Sequence, residues 1–282
     1  MSLAVAVTRL WLLGQGVQQS PSPAMQNAAL RACGLDWEYS IRDVTASELE
    51  PVLDALAAGE ARGCNVTIPH KRAAAAACDS LEGDAALTGA VNTVVASEGS
   101  LEGHNTDARG LELALQHEGL WPSPGAAVVV LGAGGAAAAA VLALARSQPA
   151  AITVAARRPR AAHTLAESAA DLYEKHTASW DVAAVGDALR QAGTAVLVNA
   201  TPAPLADLPV DLAQLPDGCT VIDLRYRPRP VDLVAAARAR GLRATDGLEM
   251  LLQQGMLSFA LWTGMEPPTG VARMALREAV GA

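Results

Sequence analysis

One stretch of twenty uncharged residues constrains the fold more than any other part of this 282-residue chain. It runs from Ala126 to Ala145 and reads AAVVVLGAGGAAAAAVLALA, a valine-rich run, a glycine cluster and an alanine-rich run. Twenty uncharged residues are long enough to cross a bilayer, but the glycine cluster divides them into two short elements. The pattern therefore predicts a strand, a tight turn and a helix, and no membrane span.

The same alternation of strand-like and helix-like runs continues along the chain. Helical patterns separate the strands, with Pro69 predicted at the first position of one helix and a long amphipathic helix near the end. Alternation of this kind predicts an α/β fold with parallel sheets. The predicted strands are LWLLGQG, WEYSIRDV, GCNVTIP, two short strands joined around Gly99, AITVAA, TAVLVNATP and TVIDL.

Composition limits the classes of partner that this chain can have. The net charge is −8 and no run of Lys and Arg stands out, so nucleic-acid binding has no electrostatic support. The N-terminal run MSLAVAVTRLWLLGQG lacks a basic segment, so we expect no signal peptide and a cytoplasmic protein. We expect the protein to be either a monomer or a homodimer. No Cys-x-x-Cys or histidine spacing predicts a metal site, and we expect reduced thiols at the four cysteines, Cys33, Cys64, Cys78 and Cys219.

The glycine cluster matches a dinucleotide-binding turn. Gly132, Gly134, Gly135 and Ala137 give a G-x-G-x-x-A pattern between the predicted strand and helix. Gly132 permits the tight turn, and Gly134 lets the backbone approach a pyrophosphate at the helix N-terminus. A purely structural turn is the alternative, but the next strand follows at the spacing of a βαβ unit, which favours a nucleotide.

The end of that next strand distinguishes the two nicotinamide cofactors. NAD sites usually place Asp or Glu there, to bind the ribose hydroxyls. This chain has Arg157 and Arg158 instead, and arginines suit a 2′-phosphate through charge-assisted hydrogen bonds. An ordinary solvated arginine cluster is the alternative, and NADP is the favoured cofactor.

Four polar residues in the first half of the chain have both local and functional interpretations. Lys71 is one of only two lysines, and it follows a proline at the predicted start of a helix. Asp107 is a favourable acid in a first helical turn or a carboxylate partner for a catalytic lysine. Ser20 and Ser22 lie before a helix, where they cap it or bind a carboxylate.

Taken together, these segments resemble the shikimate dehydrogenase family, including its quinate and aminoshikimate relatives. The resemblance extends from about residue 12 to residue 264. The matching motifs are S-x-S-P at 20–23, N-V-T-x-P-x-K at 65–71, G-x-V-N-T at 89–93, N-T-D at 105–107, G-A-G-G-A at 132–136, N-A-T-P at 199–202, D-x-x-Y at 223–226 and D-G-x-x-M-L-x-x-Q at 246–254.

The resemblance implies two domains and a role for each motif. Residues 1–104 and 246–282 would form an α/β substrate-binding domain, and residues 105–245 a Rossmann-like NADP-binding domain, with the active site between them. The implied activity is reversible NADP-linked oxidation of shikimate to 3-dehydroshikimate, with Lys71 and Asp107 as the catalytic residues. The implied substrate-binding residues are Ser20, Ser22, Asn65, Thr67, Asn92, Tyr226 and Gln254. The implied cofactor-binding residues are Gly132, Gly134, Gly135, Ala136, Arg157, Arg158, Thr201 and Gly247.

This chain departs from the family pattern near both predicted ligands. The family usually has Pro at the position of Gly16 and His at that of Gln19, beside the serine pair. It usually has Asn-Arg-Thr where this chain has Ala156, Arg157 and Arg158. Two alternatives therefore stay open: a quinate or aminoshikimate dehydrogenase, and a non-catalytic NADP-binding regulator of the same fold.

Overall fold

The structure is a computed structural model, and it describes residues 7–167, 173–191 and 195–282. The first six residues, and Thr194 at the start of the predicted strand TAVLVNATP, lie outside the described residues. The chain divides into two units, Met1–Gly110 with Leu251–Ala282 and Leu111–Met250. Each unit contains its own six-stranded sheet.

The strands that the sequence pattern predicts occur in the structure in the predicted order. Two short 3-10 helices, Leu205–Asp207 and Leu212–Gln214, add to the main elements. The main elements are β1 Thr8–Gly14, α1 Ser22–Ala32, β2 Trp37–Asp43, α2 Leu49–Ala57, β3 Gly63–Val66, α3 Lys71–Ala77, β4 Ser80–Leu81, α4 Asp84–Thr88, β5 Thr93–Ser97, β6 Ser100–His104, α5 Asp107–His117, β7 Ala127–Leu131, α6 Gly135–Ala145, β8 Ala151–Ala155, α7 Pro159–Glu167, β9 Glu174–Ala178, α8 Val182–Leu189, β10 Ala195–Asn199, β11 Thr220–Asp223, α9 Asp232–Ala239, β12 Arg243–Asp246, α10 Leu248–Thr263 and α11 Thr269–Val280.

The sheet of the first unit is mixed. Its strand order is β2-β1-β3-β5-β6-β4, and β1 pairs in parallel with both β2 and β3. Strand β5 runs antiparallel to β3 and β6, because a tight turn at Gly99 joins β5 to β6. Residues from β1, α2, β3 and β5, including Trp11, Leu53 and Val94, form its buried core.

The sheet of the second unit is entirely parallel. Its strand order is β12-β11-β10-β7-β8-β9, which is the order of a doubly wound nucleotide-binding sheet. All five residues of β7, β8 and β10 are buried, as expected for central strands covered by helices on both faces. The α/β prediction is confirmed in both units, but the prediction of parallel sheets holds fully only in the second, because β5 pairs antiparallel with both of its neighbours in the first.

The uncharged stretch 126–145 divides as predicted, into β7 and the eleven-residue helix α6. No helix in the described part of the chain combines the length and apolar character needed to cross a bilayer. The strand pattern missed the short strands β4 and β12 and also β9, whose residues EKHTA are mostly exposed. An edge strand needs only one neighbour and tolerates polar residues, so its pattern lacks the apolar signal of the central strands.

The predicted position of Pro69 was wrong. Helix α3 begins at Lys71, with His70 as its N-cap residue, so Pro69 precedes the helix. The Ile68–Pro69 peptide bond is cis, and a turn is closed by the His70 amide, which donates to the Thr67 carbonyl oxygen at 2.9 Å. Pro69 therefore belongs to this turn, and Lys71 takes the first helical position.

Candidate active site

Strand direction brings most of the predicted substrate residues of the first unit to one edge of its sheet. Strands β1 and β3 are parallel and end at Gly14 and Val66, so the loops that follow them leave from the same edge. Strand β5 is antiparallel, so its first residue, Thr93, lies at that edge beside His104, the last residue of β6. The loops at this edge carry the motifs S-x-S-P, N-V-T-x-P-x-K, G-x-V-N-T and N-T-D.

An ion pair between Lys71 and Asp107 lies at this edge. Lys71 Nζ donates a hydrogen bond to Asp107 Oδ2, although the two residues are 36 positions apart. Their side chains are 19% and 10% exposed, so the pair is largely buried but keeps some contact with solvent. Both residues are the first of their helices, α3 and α5, which fixes their backbones.

Asn92 holds the other carboxylate oxygen of Asp107. Its Nδ2 donates to Asp107 Oδ1 at 2.8 Å, and its Oδ1 accepts from the Thr106 backbone amide at 2.8 Å. The backbone amide can only donate, so it fixes which end of the Asn92 side chain faces Asp107. The Asp107 amide in turn donates to Asn105 Oδ1 at 3.0 Å. The carboxylate is therefore oriented from both sides.

Gln254, on helix α10, also reaches this group. Its Oε1 accepts from Asn92 Nδ2 at 3.3 Å, and its Nε2 donates to the Leu251 carbonyl oxygen at 2.9 Å. Helix α5 passes so close that a Cβ atom on Gly110 would lie 2.8 Å from the Gln254 backbone nitrogen. Glycine at position 110 therefore permits the approach that brings Gln254 to Asn92.

Asn65 belongs to the same group of side chains, and its side-chain oxygen and nitrogen both have hydrogen-bond partners. Its Oδ1 accepts from the Tyr39 hydroxyl at 2.8 Å. Its Nδ2 faces the Asn92 carbonyl oxygen at 3.0 Å, Thr93 Oγ1 at 3.2 Å and Ser258 Oγ at 3.0 Å. Asn65 is buried, and the structure therefore shows it within a protein network rather than with an open hydrogen-bonding position.

The serine pair and Thr67 offer hydroxyl groups at the same edge. Ser20 Oγ donates to Ser22 Oγ at 3.1 Å and accepts from the Ser22 amide at 3.3 Å, where α1 begins. Ser20 is half-buried, whereas Ser22 is buried. Thr67 is half-buried directly after β3, and its methyl group leaves no room for a Cβ atom on Gly14. These hydroxyls can donate hydrogen bonds to an anion.

The glycine turn of the second unit has the geometry of a phosphate-binding loop. Gly132 follows β7 with φ of 115°, a conformation that favours glycine, and a Cβ atom there would lie 3.1 Å from the Ala200 carbonyl oxygen. Gly134 is exposed, and a Cβ atom on it would meet no protein atom within 4 Å. Gly135 and Ala136 open α6, whose first amides are available to an anion.

The arginines after β8 stand beside a cavity. Arg157 and Arg158 are both exposed. The cavity has a volume of about 280 Å³, and its walls are both polar and apolar. Its lining residues are Ala156, Arg157, Pro159, Ala162, Thr177, Ala178, Ser179 and Trp180. Sequence reasoning missed Trp180, because Trp180 follows β9, a polar strand that the sequence pattern did not predict.

The remaining predicted residues of the second unit lie in loops after β10, β11 and β12. Thr201 donates through its hydroxyl to Asn199 Oδ1 at 2.7 Å, and Asn199 Nδ2 donates to the buried Asp223 at 3.2 Å. Tyr226 is half-buried, and burial raises the pKa of its hydroxyl. A Cβ atom on Gly247 would lie 2.1 Å from the Leu224 carbonyl oxygen, so only glycine fits there.

Metal chemistry has no visible site in the described residues. Across residues 7–167, 173–191 and 195–282, no three His, Cys, Asp or Glu side chains group as metal ligands. The four cysteines are free thiols. Burial raises the pKa of the Cys78 and Cys219 thiols to about 11 each. Neither of these two thiols therefore has the lowered pKa that makes a cysteine a good nucleophile.

Two family models match the two ends of the chain. Residues 12–94 match the shikimate dehydrogenase substrate binding domain, and residues 247–277 match the shikimate 5′-dehydrogenase C-terminal domain. Among curated relatives, the NADP-dependent shikimate dehydrogenase of Moorella thermoacetica is 38% identical over 275 residues. That alignment covers 96% of this chain and 93% of the relative.

Solved structures of the same family superpose on nearly the whole chain. Shikimate 5-dehydrogenase from Thermus thermophilus, in complex with NADP(H) and shikimate, has a TM-score of 0.84 at 36% identity. That match covers 97% of this chain and all of the other. Quinate dehydrogenase from Corynebacterium glutamicum, in complex with NAD, has a TM-score of 0.86 at 32% identity, covering 96% and 99% of the two chains. On motifs, fold and near full-length identity, this chain belongs to the shikimate dehydrogenase family.

Proposed function

We propose that this protein is an NADP-dependent shikimate dehydrogenase, which oxidises shikimate reversibly to 3-dehydroshikimate. The observation that carries the proposal is the Lys71–Asp107 ion pair, held in place by Asn92. The three side chains together provide a group that can exchange a proton and a carboxylate that orients it. A binding protein without catalysis has no need for a partly exposed lysine held in this way.

The proposed chemistry removes a hydride and a proton from one secondary alcohol of the substrate. When bound, NADP⁺ accepts the hydride, and NADPH returns it in the reverse direction. The neutral Lys71 amine takes the hydroxyl proton as the carbon–oxygen double bond forms, and the resulting ammonium returns the proton in the reverse direction. Asp107 orients the Lys71 amine and accepts a hydrogen bond from a substrate hydroxyl.

The other residues of the first unit would hold the substrate. Ser20 and Ser22 supply hydroxyl donors for the carboxylate, and Thr67, Asn92 and Gln254 bind the ring hydroxyls. The Asn65 and Asn92 amides are both buried and bonded within the same network, so for Asn65 too we retain the role at the ring hydroxyls that the family resemblance implies. For Tyr226, in the second unit, we retain the role at the substrate carboxylate that the family resemblance implies.

The residues of the second unit fit NADP. The exposed backbone at Gly134 and the first amides of α6 can approach the pyrophosphate, which Gly135 and Ala136 also border. Arg157 and Arg158 can bind the 2′-phosphate beside the cavity that Trp180 lines. Thr201 and Gly247 would border the cofactor at the neighbouring strand ends.

The same assignment gives each unit one task. We propose that the unit of residues 1–110 and 251–282 binds the substrate and that residues 111–250 bind NADP. The four free thiols support the reducing environment of the cytoplasm as the site of action. Cell fractionation of a native-source culture would test this location, and secretion of the protein would contradict it.

Steady-state kinetics with two substrates and two cofactors test the proposed function. Shikimate and quinate are each assayed with NADP⁺ and NAD⁺, because the fold also matches a quinate dehydrogenase solved with NAD. We expect the highest kcat/KM with shikimate and NADP⁺. A preference for quinate would assign the protein to the other branch of the family. NADPH binding without turnover of any of these substrates would support the non-catalytic regulator instead.

A further inference from the structure

A fully buried hydroxyl lies directly behind the proposed substrate residues. Ser258 is on helix α10 and is 0% exposed, between the apolar side chains of Leu257 and Phe259 in sequence. Burial of a hydroxyl is unfavourable unless it is hydrogen-bonded. Ser258 satisfies this requirement through contacts with two different strands and with its own helix.

The chemistry of two partners fixes the directions of two of these hydrogen bonds. Asn65 Nδ2, at 3.0 Å, can only donate, so Ser258 Oγ accepts from it. The Gln254 carbonyl oxygen, also at 3.0 Å, can only accept, so the Ser258 proton points to it. Thr93 Oγ1 lies 2.8 Å from Ser258 Oγ and also donates to Asn92 Oδ1 at 2.9 Å. The Ser258 hydroxyl therefore has partners both as a donor and as an acceptor.

These contacts connect the helix that carries Gln254 to the strand ends that carry the catalytic group. Asn65 is on β3, and Thr93 is the first residue of β5, directly after Asn92. Gln254 precedes Ser258 by one helical turn, and its Oε1 lies 3.3 Å from Asn92 Nδ2. Ser258 therefore holds the turn containing Gln254 against the strand ends.

We infer that Ser258 is a positioning residue, which sets the placement of Gln254 relative to Asn92 and so the affinity for the substrate. This inference rests on the proposed function. Ser258 does not touch the substrate in this scheme. It acts through Gln254, whose carbonyl it holds, and through Asn65 and Thr93, which fix the strand ends. Loss of the hydroxyl would leave Gln254 free to shift along or away from Asn92.

The variant Ser258→Ala tests the inference, because it removes one oxygen atom and adds no bulk. We expect the KM for shikimate to rise roughly three- to tenfold, the change that corresponds to loss of one neutral hydrogen bond. The KM for NADP⁺ should not change, and the melting temperature reports any general loss of stability. A purely structural role would lower the active fraction and kcat without a selective change in the shikimate KM.

Thr263→Val is the matched control on the same helix. Thr263 Oγ1 also donates to a carbonyl oxygen four residues back, that of Phe259, at 2.8 Å. It has no contact with Asn65, Thr93 or Gln254 among the hydrogen bonds of the described chain. This variant should leave the shikimate KM at the wild-type value. An equal rise in both variants would show that helix stability alone is responsible and would overturn the inference.

A double variant tests whether Ser258 acts through Gln254. In a Gln254→Ala background, Ser258→Ala should raise the shikimate KM much less than it does in the wild type. The inference would be overturned if Ser258→Ala raised the shikimate KM as much in the Gln254→Ala background as in the wild type, or if Ser258→Ala alone left that KM unchanged. In either case, shikimate turnover by the wild type would still uphold the proposed function. Wild-type protein without shikimate turnover would overturn the proposed function, and the inference with it.

Discussion

At the scale of single residues, the choice between lysine and arginine is the most informative feature of this chain. The chain has two lysines and nineteen arginines, and one of those lysines forms the ion pair with Asp107. Arginine would form at least as good an ion pair, with more donors. It stays protonated near neutral pH, however, and so cannot exchange a proton. Lysine at position 71 therefore points to proton transfer rather than to binding alone.

Replacement of Lys71 by alanine should lower kcat by on the order of 100-fold or more, the usual range for a lost general acid–base group. NADPH binding should survive, since the glycine turn and Arg157 lie in the other unit. Stopped-flow turnover and NADPH fluorescence titration measure the two properties. The other lysine provides the control: Lys175→Ala, on edge strand β9, should keep wild-type turnover. Near-normal turnover by Lys71→Ala would refute the assignment.

Arg157→Ala should raise the KM for NADP⁺ by roughly 10-fold or more, because a charge-assisted hydrogen bond to the 2′-phosphate is lost. The shikimate KM and the activity with NAD⁺ should change little. Arg243→Ala is the matched control. Arg243 is the first residue of β12, so it lies at the N-terminal end of the parallel strands, whereas Arg157 follows the C-terminal end of β8. An effect confined to the shikimate KM would place the phosphate site elsewhere.

At the scale of elements, the turn between β7 and α6 separates two uses of glycine. Gly132 is required by the fold itself, because its φ is 115° and a Cβ atom would press against Thr201 and Ala200. Gly134 has φ of −96° and open space where a Cβ atom would lie. Nothing in the protein therefore excludes a side chain at Gly134, whereas a close-lying pyrophosphate would.

This difference predicts opposite results for two alanine variants. Gly134→Ala should keep the wild-type melting temperature but lose most of its affinity for NADPH. Gly132→Ala should lower the melting temperature by several degrees, since positive φ and a 3.1 Å contact each destabilise the native turn. Differential scanning fluorimetry and NADPH titration measure the two effects. Wild-type NADPH affinity in Gly134→Ala would contradict the proposed pyrophosphate position.

At the scale of the whole molecule, the two sheets place their functional loops by strand direction. In each unit, parallel strands release their loops at a common edge, so motifs far apart in sequence become neighbours there. The cores that hold these edges are apolar and exclude water. Buried ionisable groups such as Cys219 therefore link folding stability to pH.

The free energy of unfolding should fall at alkaline pH partly because of Cys219. Burial raises the pKa of its thiol from 9.0 to about 11. This contribution is fully present below pH 9, and it is lost as the pH rises towards 11, where the unfolded chain alone gains from ionisation. Between pH 8 and pH 10 the loss should be about 1 kcal/mol. Urea denaturation of Cys219→Ala should show a correspondingly smaller fall, and parallel curves would contradict the assignment.

The sequence by itself determined the α/β class, the glycine turn and most of the strands, because each depends on local spacing of apolar residues and glycines. Motif order along the chain also identified the family. Local pattern failed where the signal is weak or non-local. The polar edge strand β9 has no alternation of apolar residues that would predict it. Pro69 lies in a turn closed by the hydrogen bond from the His70 amide to the Thr67 carbonyl oxygen, which the helix pattern did not anticipate.

Only the tertiary structure decided which polar side chains share one site. Lys71 and Asp107 are 36 residues apart, and Ser258 lies 193 residues after Asn65. No sequence spacing encodes those distances, because they depend on how β3, β5 and α10 pack. The structure also placed Asn65 and Asn92 in one buried hydrogen-bond network, in which Asn65 accepts from Tyr39 and Asn92 orients the Asp107 carboxylate. Local sequence places a residue on an element, and packing of that element determines what the residue can bind.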